Sequence, residues 1–424
     1  MIPLSADEVR RLAPGELHVR EQRITGVEAD SRRVGPGDLF VAVGRGSDFV
    51  DEALARGAGA ALVPDDPFAA LAALAGAVRN RSRARIVGVT GSVGKTSTKD
   101  ILAALCRPHA PTIAAPDGFN NEIGLPLTLL RIDPETEIVV AELGMRGLGQ
   151  IAELCRVARP EIGVITAIGP VHLELLGTVG RVAQAKAELI EALPAGGTAV
   201  VPGHAPELEP FLGREDIEIV RFGPSGDVTL RRFDPPLLVA DLGGTLVELE
   251  VPFTGEHHAV NTLAALAAYA ALGLPLEAAA DGASAITFSR LRGEELDLPG
   301  GGLLINDAWN ANPVAMKAAL AYLVRRAEGR RTIAVLGEMA ELGRDAPRYH
   351  SEVAEALGEL GVDVVVAVGG ELAARYGGTR VGTPAEAATL LRQLLEPGDV
   401  VLVKGSRVHR LETVAEALAG APAV

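Results

Sequence analysis

The sequence predicts an α/β protein of three domains, and three observations carry that reading. The chain has 424 residues, too many for one ordinary hydrophobic core. Most of its apolar runs are short, continuous Val/Ile segments, which belong to parallel strands covered on both faces. The strand and helix rhythm pauses at the polar, Arg-rich stretch from Arg79 to Arg85 and again before Gly300, and resumes each time. Domains are therefore expected at residues 1–83, 84–290 and 291–424.

Taken in order, Asp38 to Val43 (DLFVAV) reads as a strand, Asp51 to Gly57 as a helix, Ala60 to Val63 as a strand and Pro67 to Val78 as a helix. Arg79 to Arg85 reads as a linker. From Ile86 the strands become apolar throughout: IVGVT, EIVVAEL (137–143), IGVITAI (162–168) and TAVV (198–201), with helical segments between them. Residues 203–253 alternate more and carry many Pro and Gly, so an antiparallel extension of the same sheet is expected. Ala259 to Leu272 reads as a long Ala-rich helix. The third unit runs LLIND (303–307), a helix from Pro313 to Arg326, TIAVLG, a helix near Tyr349 to Leu357, VDVVVAVG, a helix from Pro384, DVVLVKG and a last helix from Leu411. That rhythm predicts a small Rossmann-like domain of about four parallel strands.

Composition narrows the function classes. The formal net charge of −15 argues against a general nucleic-acid surface, because phosphate backbones attract basic patches. The most apolar stretch, Ala259 to Leu274, contains Asn261 and Thr262 and falls short of the ~20 residues a bilayer demands, so no membrane insertion is expected. The first residues lack the pattern of a secretory signal, and Cys106 and Cys155 are the only cysteines, which fits a cytoplasmic protein. Of the 40 basic residues five are lysine: Lys95, Lys99, Lys186, Lys317 and Lys404. A lysine kept against such an arginine bias is a candidate for chemistry that a guanidinium cannot do. Asparagine is as scarce, and six of the seven (Asn120, Asn121, Asn261, Asn306, Asn310 and Asn312) fall in three short clusters.

Those clusters carry the chemistry. Thr90 to Ser97 (TGSVGKTS) joins a strand to a helix, the context of a phosphate-binding loop. Gly91, Ser92, Val93 and Gly94 would turn backbone N–H groups toward an anion at the helix start, Lys95 would reach the outer phosphates, and Thr96 and Ser97 offer hydroxyls, that of Thr96 to Mg²⁺. Five residues, not four, separate Gly88 from Gly94, so the general phosphate-loop spacing gives way to a shorter form used by a subset of ATPases. No Asn-Lys dipeptide exists to read guanine, which favours ATP over GTP. Glu142 ends one central strand and His172 follows another in the turn GPVH, both at the carboxyl edge where ligands of open α/β sheets collect. Lys186 lies on a helix shortly after. Asn120 and Asn121 in FNNEIGLP are able either to bind substrate or to cap the next helix, and Asn261 to read a base or to cap. NDAWNANP (306–313) packs three asparagines, Asp307 and the only tryptophan, Trp309, into one polar turn, and is expected to bind a ligand.

In this order, DSRRVGPGDLFVAV (30–43), TGSVGKTS, FNNEIGLP, AELGM, IGPVHLELLG, AKAELI, TGEHHAVN, NDAWNANP, LGEMAELG with His350, and LVKGSR resemble the Mur ligases of peptidoglycan synthesis, in their MurF type, over the whole chain. The resemblance implies an N-terminal UDP-substrate-binding domain, a central ATPase domain and a C-terminal Rossmann-like ligase domain. It implies transfer of the γ-phosphoryl of ATP to the carboxylate of UDP-N-acetylmuramoyl-tripeptide, attack by the amine of D-alanyl-D-alanine on that acyl phosphate, and loss of phosphate. By the same resemblance Thr96, Glu142, His172 and a carbamylated Lys186 would hold two Mg²⁺. Lys95, Lys186 and His172 would serve catalysis. Asn261 would contact adenine, Asp307 the ribose and Arg292 the phosphates, with Arg290 the neighbouring candidate. Ser31 and Arg32 would contact the UDP substrate, Asn310 and Asn312 would lie close to the incoming dipeptide, and Trp309, Asn120 and Asn121 would also bind substrate; a monomer is expected. Three departures stand out: Trp309 replaces a usual Tyr, His258 a usual Asn, and GRGSDFVDEA is shortened.

Two alternatives compete with this reading. One is another Mur-type ligase such as a MurE-like enzyme, which would carry a DNPR-like element absent from this sequence. The other is an inactive MurF-like ATP-binding paralogue, expected to have lost Lys186 or Glu142; both are present.

Overall fold

The computed structural model describes residues 1–420 as an α/β protein of three domains, with three principal sheets. The first sheet, four-stranded, joins Gly15–Val19, Ala60–Pro64, Asp38–Val41 and Gly26–Glu28, and a two-strand ribbon of Leu4–Ser5 and Arg23–Ile24 lies beside it. Local chemistry sets the helices here. Ser5 and Glu8 form a reciprocal capping box at the start of Ala6–Leu12, and Asp66 caps Pro67–Arg81, whose proline occupies the first turn.

That last helix continues into the stretch expected to be a linker and ends at Arg81; residues 82–84 make the connection, and Arg85 already belongs to the next strand. Arg79 explains the difference. Its aliphatic stem is buried, its Nε donates to Ala158 O at 3.1 Å, and its guanidinium lies 3.5 Å from Glu161. An arginine that looks solvated in sequence thus ties the first unit to the second.

The central sheet has nine strands. Arg85–Thr90 lies between Ile162–Ile165 and Ile138–Glu142, all parallel and all buried, as continuous apolar runs require. Thr198–Pro202 and Glu218–Phe222 extend it in parallel, and Val228–Asp234, Leu237–Leu242 and Thr245–Glu250 close it as an antiparallel meander. Only this meander matches the antiparallel extension expected over 203–253; Glu218–Phe222 runs parallel. Helices Lys95–Cys106 and Glu256–Ala271 pack together, and Gln150–Ala158 and Val179–Glu191 pack on each other against the central strands Arg85–Thr90 and Ile162–Ile165. Cys106 and Cys155 are both buried free thiols, and burial pushes each up to about 12.

The third sheet has six strands, not about four. Five are parallel (Gly302–Asn306, Val400–Lys404, Thr332–Gly337, Val364–Val368 and Thr379–Val381) and one antiparallel strand, Glu294–Leu298, closes the edge. Its sequence, EELDL, alternates acids with leucines and lacks the continuous apolar signature of its neighbours.

Gly282 shows how tightly the central layers meet. A Cβ there would stand 2.1 Å from Ala104 O, at ordinary backbone angles. Gly282→Ala should destabilise the protein by about 1–3 kcal/mol, the usual cost of overpacking, measured by denaturant unfolding of the central transition. A neutral substitution would contradict this packing.

Candidate active site

The phosphate loop leaves the carboxyl end of Arg85–Thr90 and enters Lys95–Cys106. Two glycines shape it. Gly91 has φ +152° and faces Thr166 Oγ1 at 1.9 Å from a hypothetical Cβ, while Gly94 has φ +80° and faces Asn261 Oδ1 at 2.4 Å. Thr166 Oγ1 bonds Thr90 O at 3.2 Å, and Ser92 Oγ donates to Gly169 O at 3.1 Å, so the neighbouring strand end braces the loop. Lys95 folds back to donate to Gly91 O at 2.8 Å. Burial pulls its pKa down, Glu142 opposes that shift, and Arg292 adds to it.

Because Arg85–Thr90 is flanked by Ile138–Glu142 on one side and Ile162–Ile165 on the other, Glu142 and His172 stand on either side of the loop. Glu142 is buried and accepts from Thr96 Oγ1 at 2.9 Å and from Asn120 Nδ2 at 2.9 Å. His172 sits in the left-handed region at φ 52° and pairs through Nδ1 with Glu341, itself at φ 63°. Two non-glycine residues in that region carry a real backbone cost, and such strain gathers at functional sites. Burial lowers the His172 pKa while Glu341 opposes the shift.

Lys186 is buried on Val179–Glu191, and among the described residues no carboxylate lies within ion-pair distance of it. Desolvation, aided by the charge of Lys95, pushes its pKa well below that of an ordinary lysine. The shift disfavours the ammonium form of this amine, which faces a polar cavity.

The opposite wall comes from Glu256–Ala271 and the third sheet. Asn261 touches the loop at Gly94. His258 stacks on Phe288 with centroids 4.0 Å apart, and burial holds it far below its ordinary pKa, so it is a neutral aromatic wall. Arg292 reaches Thr96 Oγ1 with Nη2 at 3.3 Å; Arg290 is exposed outside the cavity. Lys404 Nζ donates to Asp307 Oδ2 at 2.6 Å and to Asn310 O at 3.0 Å, fixing the polar turn.

All of this opens on one cavity of about 1210 Å³ lined by residues from all three sheets' surroundings, Phe68 and Ala72 included. Lys95, Lys186 and Lys404 line it, as do Asn120, Asn121, Asn261, Asn310 and Asn312, so the two scarce residue types converge here. Gly94, Ser92, Val93, Thr96, Ser97, Glu142, His172, Arg292, Asp307 and Trp309 do too. Some expected contacts are otherwise engaged. Asn312 caps Pro313–Ala327 by accepting from Ala315 N at 2.9 Å, and Asn121 caps Gly124–Leu129 by accepting from Gly124 N at 2.9 Å. Ser31 and Arg32 lie outside the cavity, Ser31 buried and Arg32 exposed beside Asp30. Glu341, His257, Lys404 and Arg407 are additions that sequence reasoning gave no role, although Lys404 belonged to the scarce lysines.

The donor set fits Mg²⁺. Thr96 and Glu142 bring a hydroxyl and a carboxylate together, and a hard cation of this kind takes few protein oxygens and fills the rest with water and phosphate. Among the described residues no cluster of three or more His, Cys, Asp and Glu forms a cage for another metal.

Residues 89–269 match the family model of the Mur ligase middle domain, and 292–407 that of the Mur ligase glutamate ligase domain. The chain is 34% identical to the UDP-N-acetylmuramoyl-tripeptide--D-alanyl-D-alanine ligase of Mycobacterium tuberculosis, covering 99% of this chain and 98% of that one. It is similar to a crystal structure of MurF from Acinetobacter baumannii (TM-score 0.88, 28% identity, 99% of each chain). The MurF ligase of Thermotoga maritima in complex with ADP gives a TM-score of 0.81 at 29% identity, over 93% of this chain and 97% of that one.

Gly94→Ala tests the loop. The substitution sets a Cβ against Asn261 in a left-handed conformation, and should weaken ADP binding by roughly tenfold or more in calorimetry. Unchanged affinity would show that the loop does not hold the nucleotide.

Proposed function

From the premise that the chain belongs to the Mur ligase family, in its MurF branch, we propose that it joins D-alanyl-D-alanine to UDP-N-acetylmuramoyl-tripeptide. It is an ATP-dependent ligase of peptidoglycan synthesis. The observation that carries the reaction is the single cavity in which a phosphate loop, an unpaired buried lysine and a polar C-terminal turn meet.

A carboxylate is a poor electrophile, and bringing it to the γ-phosphate sets two anions together. In this reading a carboxylate oxygen of the tripeptide attacks the γ-phosphorus and ADP leaves. The dipeptide amine then attacks the carbonyl carbon, and inorganic phosphate departs with the carboxylate oxygen. Lys95 exchanges Gly91 O for the outer phosphates, and Arg292 supplies a second positive charge beside Thr96. Asn261 and Asp307 hold the adenosine. Thr96, Glu142 and His172 would hold Mg²⁺, two ions being expected, and the metal would neutralise charge on the transferring phosphoryl.

Lys186 suits carbamylation by CO₂, because desolvation shifts its amine toward the neutral form and only a neutral amine attacks CO₂. The resulting anion would help to hold the second ion. Asn120, Asn121, Trp309, Asn310 and Asn312 would face the peptide substrates, with the capping roles of Asn121 and Asn312 leaving their NH₂ groups to act. Ser31 and Arg32 would reach the UDP end from residues 1–83, residues 84–290 would supply the phosphate loop and Asn261, and 291–424 would complete the nucleotide site with Arg292 and Asp307. A cytoplasmic location, which two buried free thiols suit, and a monomeric state belong to the same proposal; among the described residues no helix is long and apolar enough to cross a membrane.

Phosphate release from ATP, followed with the UDP-linked tripeptide present, should rise steeply on adding D-alanyl-D-alanine; release indifferent to the dipeptide would remove the assignment. Lys186→Ala should abolish turnover and recover partly with formate or acetate, whereas wild-type rates would exclude the carbamate.

A stability effect of opposite sign accompanies that loss. Lys186 is protonated in the unfolded chain but not in the folded one between its depressed pKa and the ordinary ~10.4, so it destabilises the fold there, and stability rises with pH. Lys186→Met should therefore raise the melting temperature of the ligand-free protein by about 2–4 °C near neutrality. The gain should shrink as pH climbs toward 10; a lower melting temperature would show that the lysine is well solvated or paired.

A further inference from the structure

Trp309, the chain's one tryptophan, stands at the cavity rim where three chain segments meet. The guanidinium carbons of Arg292 and Arg407 each lie 5.3 Å from its ring centroid. Its outer edge faces Gly118, where an added Cβ would stand 3.6 Å from Cζ2. Arg407 is anchored by an ion pair with Glu412. Arg292 has no such anchor: its one hydrogen bond reaches Thr96 Oγ1 at 3.3 Å, and its Nε is buried without a partner. The nearby Asp117 leaves Oδ1 unpartnered, and among the described residues Arg292 forms no ion pair.

A long side chain with one hydrogen bond needs something else to fix its plane. An acid would do so but would cancel the charge that a phosphate requires. An aromatic face within about 6 Å orients a guanidinium and leaves its charge intact. We propose that Trp309 is a positioning residue whose indole holds Arg292 at the Thr96 end of the phosphate loop. Because Trp309 belongs to the turn between Gly302–Asn306 and Pro313–Ala327, the phosphate contact is complete only when the C-terminal unit is docked. The inference deepens the nucleotide reading of this cavity and rests on it. It also assigns Trp309 a task distinct from binding the dipeptide.

ADP binding by calorimetry to the full chain separates the two. Wild type must bind first; no binding would remove the nucleotide reading itself. Trp309→Phe should then bind nearly as wild type, and Trp309→Leu about tenfold more weakly, the scale of a partly desolvated cation–π contact. Arg292→Ala should weaken binding at least as much, and the Trp309→Leu, Arg292→Ala double variant no further. Additive losses in the double variant would overturn the proposal. So would a Trp309→Leu protein with unchanged ADP affinity and a raised KM for the dipeptide alone. Should Trp309→Leu not fold, Arg292→Lys carries the test, since an ammonium stacks poorly: binding should fall by a similar factor, and unchanged binding would overturn the proposal.

Discussion

Two amines gathered in one cavity without a paired acid set the terms for everything around them. Lys186 is buried and Lys95 half-buried, neither lies within ion-pair distance of an acid among the described residues, and the charge of Lys95 depresses Lys186 further. Withdrawing amines from water in this way costs stability. The structure offsets it with large apolar layers beneath the site and with loop braces at Thr166 and Ser92. The cost has a purpose in a site meant to bring a carboxylate and a triphosphate together, because anions arriving there supply the missing counter-charge.

The C-terminal unit is not a bystander. It contributes Lys404 to hold Asp307, Glu341 to hold His172 and Trp309 beside Arg292. Each link crosses between the central and C-terminal sheets or orders the turn that faces the loop. The contacts of His172 with Glu341 and of Thr96 with Arg292, 169 and 196 residues apart in sequence, form only when the units meet. The charge arrangement of the site is thus complete only with the C-terminal unit docked against the phosphate loop.

Much of this was legible in the sequence, for identifiable reasons. The run from Arg85 to Cys106 reads as strand, loop and helix because its apolar period changes at two glycines. Scarcity was as informative as motif: Lys95, Lys186 and Lys404 survive an arginine bias, and they meet in the cavity. What stayed hidden had physical causes. Asn121 and Asn312 cap helices with the same amide chemistry that would bind a ligand, so residue type alone cannot separate the roles. The Glu341 contact to His172 depends on tertiary distance, and no local pattern encodes it. Glu294–Leu298 lacks a continuous apolar run because it is an edge strand, and Arg79 passes for linker because burial of its stem leaves no trace in hydropathy.

The central claim is that the tripeptide carboxylate itself is phosphorylated. Labelling that carboxylate with ¹⁸O and analysing the inorganic phosphate by mass spectrometry after turnover tests it directly. One labelled oxygen per amide formed should appear in phosphate, with the other retained in the product. Unlabelled phosphate would mean that ATP is cleaved by water and that the amide forms by another route.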